Sequence, residues 1–286
     1  MWSRFSLLCV ELFLSYLCIS TPIQLFHSAA YDETWSKVSK EIRLPLELRI
    51  VNEGLAHDDT HWFLTNKHIL YKSTSVVNPI EIDVANNNAI PEDYRAQGYD
   101  HIGDIDVMID TNEVVGGLEG GPEGLLAKWN ASDLSLLRTA PTNMSGVPWL
   151  AIDYNNRNIY TAEWNECCAL NIFNVDSLEF VGKYTMPQGA ELPKEIQGGA
   201  FFESDLYLAT NSGDKVYKLI LSTGLIDVVL SDKYNHHDYE MEGITFWNLE
   251  DIGYGTMHIF GNFMQLRKKA IHSYTPYSET NNGELS

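Results

Sequence analysis

Five short segments carry the residues with chemical potential. Glu53-Gly54-Leu55-Ala56, Asp104-Ile105-Asp106-Val107, Pro148-Trp149-Leu150-Ala151, Gln197-Gly198-Gly199-Ala200 and Glu242-Gly243-Ile244-Thr245 align with one another and recur at spacings of 44 to 51 residues. Three carboxylates and one amide thus open equivalent positions of a repeat. Gathered around one axis, Glu53, Asp104, Gln197 and Glu242 would repel one another unless shared protons or a cation neutralised them. Calcium, a hard divalent cation, takes such an oxygen-rich set, so these four are the candidate metal ligands. The plainer alternative is that the acids accept hydrogen bonds from backbone N–H groups at the strand openings. His101, three residues before Asp104, is the first candidate base, with Glu119 and Glu163 ending second strands that rise toward the same side. A second candidate base is His236, in the run His236-His237-Asp238-Tyr239-Glu240-Met241-Glu242. If that run is extended, His236, Asp238, Glu240 and Glu242 share one face; the alternative is a solvated loop.

Other chemistries lack their signatures. The loop pattern of an EF-hand breaks at Met108, and the glycine-rich stretch Gly116 to Gly124 has neither the Gly-Lys-Ser/Thr of a phosphate loop nor G-x-G-x-x-G spacing. It reads as a tight strand connection where backbones approach closely. Neither a G-x-S-x-G elbow nor an H-E-x-x-H helix occurs, which leaves serine-hydrolase and zincin readings unsupported.

The elements that must position these residues are strands. β-branched and aromatic runs separated by Gly, Asn, Asp and Ser recur from about residue 48 onward. Asp205 to Leu230 reads as a three-stranded meander, and the turn Trp129-Asn130-Ala131-Ser132-Asp133-Leu134 is echoed by Phe173-Asn174-Val175-Asp176-Ser177-Leu178. A four-strand repeat of this period predicts an all-β protein, a β-propeller of four-stranded antiparallel blades. Five blades can be counted and a sixth would have to come from residues 31–50 and 73–100. Residues 31–286 form the single domain, closed by a strand near Glu41-Ile42-Arg43-Leu44. A β-sandwich, the rival, does not explain the period. Trp62, Trp129, Trp164, Phe201, Phe202 and Trp247 are expected between blades.

The 286-residue chain is 44% apolar, enough for a large core, and its net charge of −20 excludes a nucleic-acid partner, which needs clustered cations. Residues 1–30 read as a secretory signal peptide: a basic start, an apolar run interrupted by Glu11, and Ser28-Ala29-Ala30. That run falls short of the roughly 20 uninterrupted apolar residues of a membrane span, so no span is expected after its removal. Asn130-Ala131-Ser132 and Asn143-Met144-Ser145 are glycosylation acceptors on a secretory route, at Asn130 and Asn143. Only the adjacent Cys167 and Cys168 then remain. Placed on a strand they point to opposite faces, so two thiols are expected, a vicinal disulfide being the alternative.

The blade openings NEGLA, MEGITF and IQGGAF, with the strand-turn-strand LYLATNSGDKVYKL, resemble the broad superfamily of calcium-dependent lactonase and arylesterase propellers, including gluconolactonase-like and strictosidine-synthase-like members. The resemblance covers about residues 48–275 and implies a calcium at the channel mouth, with Glu53 and Glu242 as the best-matched ligands. Two functions follow. One is a secreted calcium-binding extracellular binding or matrix protein, meeting another protein or a polysaccharide. The other is a calcium-dependent hydrolase of a small ester or lactone, with His101 or His236 as base. Fold alone does not choose between them.

Overall fold

The computed structural model describes residues 33–44, 53–73, 76, 80–231, 239–263 and 268–276. The proposed leader and His236 lie outside the described residues. Twenty strands form five four-stranded antiparallel sheets among the described residues. Four are consecutive meanders. Blade 1 contains β2 (Leu55–His57), β3 (Trp62–Asn66), β4 (Ile69–Ser73) and β5 (Ile82–Asn86), and blade 2 contains β6 (His101–Met108), β7 (Glu113–Glu119), β8 (Leu125–Asn130) and β9 (Leu136–Pro141). Blade 3 contains β10 (Ala151–Asp153), β11 (Asn158–Thr161), β12 (Ala169–Asn174) and β13 (Phe180–Thr185), and blade 4 contains β14 (Ile196–Phe202), β15 (Asp205–Thr210), β16 (Lys215–Ile220) and β17 (Leu225–Ser231). The fifth sheet joins both ends of the chain: β18 (Tyr239–Phe246), β19 (Met257–Phe263) and β20 (Lys268–Pro276) are completed by β1 (Trp35–Arg43), with Ile42 paired to Ile271.

The protein is therefore a five-bladed β-propeller, and the segment predicted to close it does so. The described residues among those weighed for a sixth blade have other places: β1 closes the fifth sheet, β5 is the outer strand of blade 1, and a single helical turn, α1 (Glu92–Arg95), follows it.

Strand alternation explains why the sequence makes blades rather than a two-sheet sandwich. In β3, Trp62 and Leu64 enter a core shared with the closing sheet, through Ile42, Phe260 and Ile271, while Phe63 enters a core shared with blade 2, through Ile105, Val114 and Trp129. In β15, Leu206 and Leu208 pack toward blade 3 and Tyr207 and Ala209 toward the closing sheet. A strand buried on both faces reads as a continuous apolar run, and five such interfaces give five cores.

The repeated turn is a structural repeat. Asn130 and Asn174 accept backbone N–H bonds from Ser132 and Asp176 through their side chains, and Leu134 and Leu178 follow at φ 61°, both buried. An Asx turn and one left-handed residue reverse the chain, and burial of the leucine compensates for that strain.

Candidate functional site at the upper mouth of the channel

β2, β6, β10, β14 and β18 line the axis, each running from what we term the upper mouth to the lower one. In β6, β14 and β18 the pairing register breaks at the position of the sequence-predicted residue: between Ile102 and Ile105, between Ile196 and Gly198, and between Met241 and Ile244. A bulge frees a residue from the ladder and re-aims its side chain. Asp104, Gln197 and Glu242 sit in these three bulges. Each has a glycine beside it because the backbones touch there: a Cβ on Gly103 would stand 2.3 Å from the Pro148 carbonyl oxygen, and one on Gly243 2.4 Å from the Leu55 nitrogen.

Asp104 is 1% exposed and acts as a clamp. Its Oδ1 accepts the Leu55 N–H at 3.1 Å and its Oδ2 accepts the Gly199 N–H at 3.0 Å, while its own N–H donates to the Pro148 carbonyl at 3.0 Å. One residue of blade 2 thus ties blades 1, 3 and 4 together. Burial pushes its carboxyl well above the usual carboxylate range, against the pull of those N–H groups.

Above it lies an acid/base cluster. Glu53 Oε2 and His101 Nε2 are 3.1 Å apart, and the His101 side chain keeps 31% of its surface exposed while Glu53 keeps 9%. Burial alone would lower the His101 pKa; the hydrogen bond and charge of Glu53, with Glu119 and Asp100, outweigh it and raise the pKa. Glu119, at the end of β7, is raised by burial and by Glu53 and Asp100, against His101. Glu242 is 3% exposed; burial, then Glu53, Glu240 and Asp104, push its carboxyl well above the usual range, helped by a hydrogen bond to Glu240. The upper mouth therefore combines an imidazole whose pKa is raised by its carboxylate partner with carboxyl groups whose pKa values are raised by burial and by one another.

The sequence-predicted set is only partly assembled. Glu53, His101, Glu119 and Glu242 come together, Asp104 is spent on backbone N–H groups, and Gln197 is half-buried on β14. Glu53, Glu242 and Gln197 offer the oxygen donors calcium requires, but both Asp104 oxygens are already engaged. Among the described residues, the trio of His, Cys, Asp or Glu ligand atoms lying within 4.8 Å of one another is Glu166, Cys167 and Cys168, outside the ring. Glu163 accepts the Ser145 N–H at the rim.

Cys167 and Cys168 are bonded to each other, contrary to the expected pair of thiols. The expectation rested on a strand that begins only at Ala169; the two cysteines lie in the loop after β11, where alternation does not apply. Sequence reasoning also missed the pair at the lower mouth. The Asp106 carboxyl accepts the Ile152 N–H at 3.1 Å and meets the Tyr154 hydroxyl, which also lies 2.9 Å from the Val107 carbonyl. Burial raises Asp106 to about 6 despite these bonds. Its signal was available in Ile105-Asp106-Val107, where Ile105 and Val107 pack toward blade 1 and alternation turns the acid between them to the opposite face, toward Ile152 and Tyr154 of blade 3. Trp62, Trp129 and Trp247 are buried between blades as expected, whereas Trp164 is 37% exposed.

No protein-family model matches the chain, and no curated protein matches its sequence. Among solved structures it is similar to the glutaminyl cyclase of Myxococcus xanthus, at a TM-score of 0.60 and 14% identity over 86% of this chain and 98% of that one. At that identity the likeness is one of fold, and the fold is the propeller.

Proposed function

We propose that the upper mouth is an acid/base site acting on substrates that carry a basic amine, and that its reaction is intramolecular aminolysis of the kind a glutaminyl cyclase performs. The observation that carries this reading is the juxtaposition of the Glu53–His101 pair with the raised carboxyls of Glu242 and Glu119. Cyclisation of an N-terminal glutaminyl residue needs a base and an acid side by side. The α-amine attacks the side-chain amide carbon, a C–N bond forms, and the bond to the amide nitrogen breaks. The Glu53–His101 pair takes the proton from the attacking amine, and protonated Glu242 gives one to the leaving nitrogen, which departs as ammonia. The net charge of −20 also draws the ammonium form of the substrate toward the protein. The leader-like residues 1–30 and the acceptor Asn143, exposed on its loop, support placing this chemistry on a secretory route.

The test is incubation of the purified chain with a peptide beginning in glutamine, followed by mass spectrometry. Loss of one ammonia is expected. Glu53→Gln and Glu242→Gln should each lower kcat/KM by a factor on the order of 100. A wild-type chain that leaves the peptide unchanged would overturn the reading. The second reading is calcium binding, favoured by the crowding of Glu242 with Glu53 and Glu240: a cation held by Glu53, Glu242 and Gln197 would take the place of the shared proton, as the resemblance to calcium-dependent propellers implies. It would polarise a carbonyl or hold a partner. Stoichiometric calcium, lost in both variants and raising the unfolding temperature of the wild type alone, would decide for it.

A further inference from the structure

We propose a second binding site, for a small organic cation, in the cleft between blades 3 and 4 on the face opposite the upper mouth. The cavity measures about 400 Å³, within the range of small-ligand sites. Its lining divides into two kinds. Tyr160, Tyr184 and Phe201 supply aromatic faces, and the Tyr160 and Phe201 rings form a corner, with centroids 5.3 Å apart at 59°. Asp153, Glu203 and Asp205 supply carboxylates.

The charge is unbalanced. Asp205 is paired with Lys218 at 3.0 Å, and that lysine also serves Glu33. Among the described residues, Asp153 is bonded by neutral donors, the backbone N–H groups of Asn155 and Asn156 and the Asn156 amide. Among the described residues, neither lysine nor arginine lines the cavity. Its field acts on the aromatic wall, where burial and then Asp153 raise the Tyr160 pKa.

Aromatic faces beside uncompensated carboxylates suit a cation with an apolar shell, whose charge is attracted by the rings and whose body is covered by them. A substituted ammonium or guanidinium fits that description. A metal ion would gain little from the rings. Phe201 also lines a separate, smaller cavity of about 210 Å³ at the lower mouth, with Asp106, Tyr154 and Phe246.

The experiment is calorimetric titration of the full chain with choline, and in parallel with glucose as an uncharged polar ligand. Choline binding in the millimolar range is expected, and none of glucose. Tyr184→Ala, at a half-buried ring on the outer strand β13, should abolish it, and Glu203→Gln, at an exposed turn, should weaken it about fivefold. His101→Asn, at the other mouth, should leave it unchanged, which separates this site from the acid/base reading. Absence of choline binding to a folded wild-type chain, equal binding of glucose, or undiminished binding in Tyr184→Ala would each overturn the proposal.

Discussion

Glu242 shows how one buried carboxyl links chemistry to stability. Its pKa in the fold lies above its unfolded value, so the native state holds a proton that the unfolded chain has lost. Its effect on stability is therefore most favourable below the unfolded carboxyl range and is lost as pH rises toward the folded pKa. Glu119 acts with the same sign, and so does Asp106, over the window that ends at about 6. At the acid end other groups take over. Glu41, lowered to about 2 by its hydrogen bond to His272, loses its contribution as pH falls from 4.5, and neutral His258, lowered by burial to about 4, loses its own as pH falls from 6.5. The expected result is that Glu242→Gln removes part of the wild type's loss of melting temperature between pH 5 and pH 8, read by thermal unfolding across that range. An unchanged slope would mean that Glu242 is ionised in the fold. At this scale the sequence was informative about identity and less so about use: Glu53, His101 and Glu242 could be picked out as acids and a base at repeat positions, but that Asp104 is spent on backbone N–H groups depends on bonds across 49 and 95 residues of chain.

The element that closes the ring is β1. It pairs with β20 along Trp35 to Arg43, and Trp35, 5% exposed, meets Phe202, Tyr207 and Phe246 edge-on at centroid distances of 5.7 to 6.3 Å. These rings belong to blade 4 and the closing sheet, so the tryptophan joins the two where the chain's ends meet. Trp35→Ala should cost about 3–5 kcal/mol, measured by denaturant unfolding, and should flatten the transition if the closing sheet then melts apart from blades 1 to 4. A loss under about 1 kcal/mol would show that the other aromatic rings hold this interface alone. Most elements were legible beforehand, because period-2 apolar runs and Asn/Asp/Gly turns are local signals. The loop of Cys167 and Cys168 was not, since a run of CCALNIF suits a strand from its first residue, and only the position of β12 shows that it starts at Ala169.

At the scale of the whole molecule, stability rests on five inter-blade cores and on a narrow axis where backbones of different blades bond directly. Gly243 N–H donates to the Glu53 carbonyl at 2.9 Å, and Asp104 adds its two side-chain bonds and one backbone bond. Removing that carboxyl leaves two buried N–H groups without acceptors, each costing about 1–3 kcal/mol. Asp104→Ala should therefore destabilise the protein by about 2–5 kcal/mol in equilibrium unfolding, more than a similar change at the exposed Asp133. A loss comparable to that of Asp133→Ala would show that the axis tolerates an open channel.

The amino-acid sequence by itself determined the repeat, the strands, the number of blades that could be counted, and the positions where acids open them. These follow from alternation, turn chemistry and period, which act over a few residues at a time. Tertiary structure alone decided which of those acids remain available: closing five blades brings the inner strands within hydrogen-bonding distance of one another, so that Asp104 becomes a clamp, the Glu242 carboxyl is pushed up beside the Glu53–His101 pair, and the aromatic and acidic residues of blades 3 and 4 enclose a cleft that no local pattern announces.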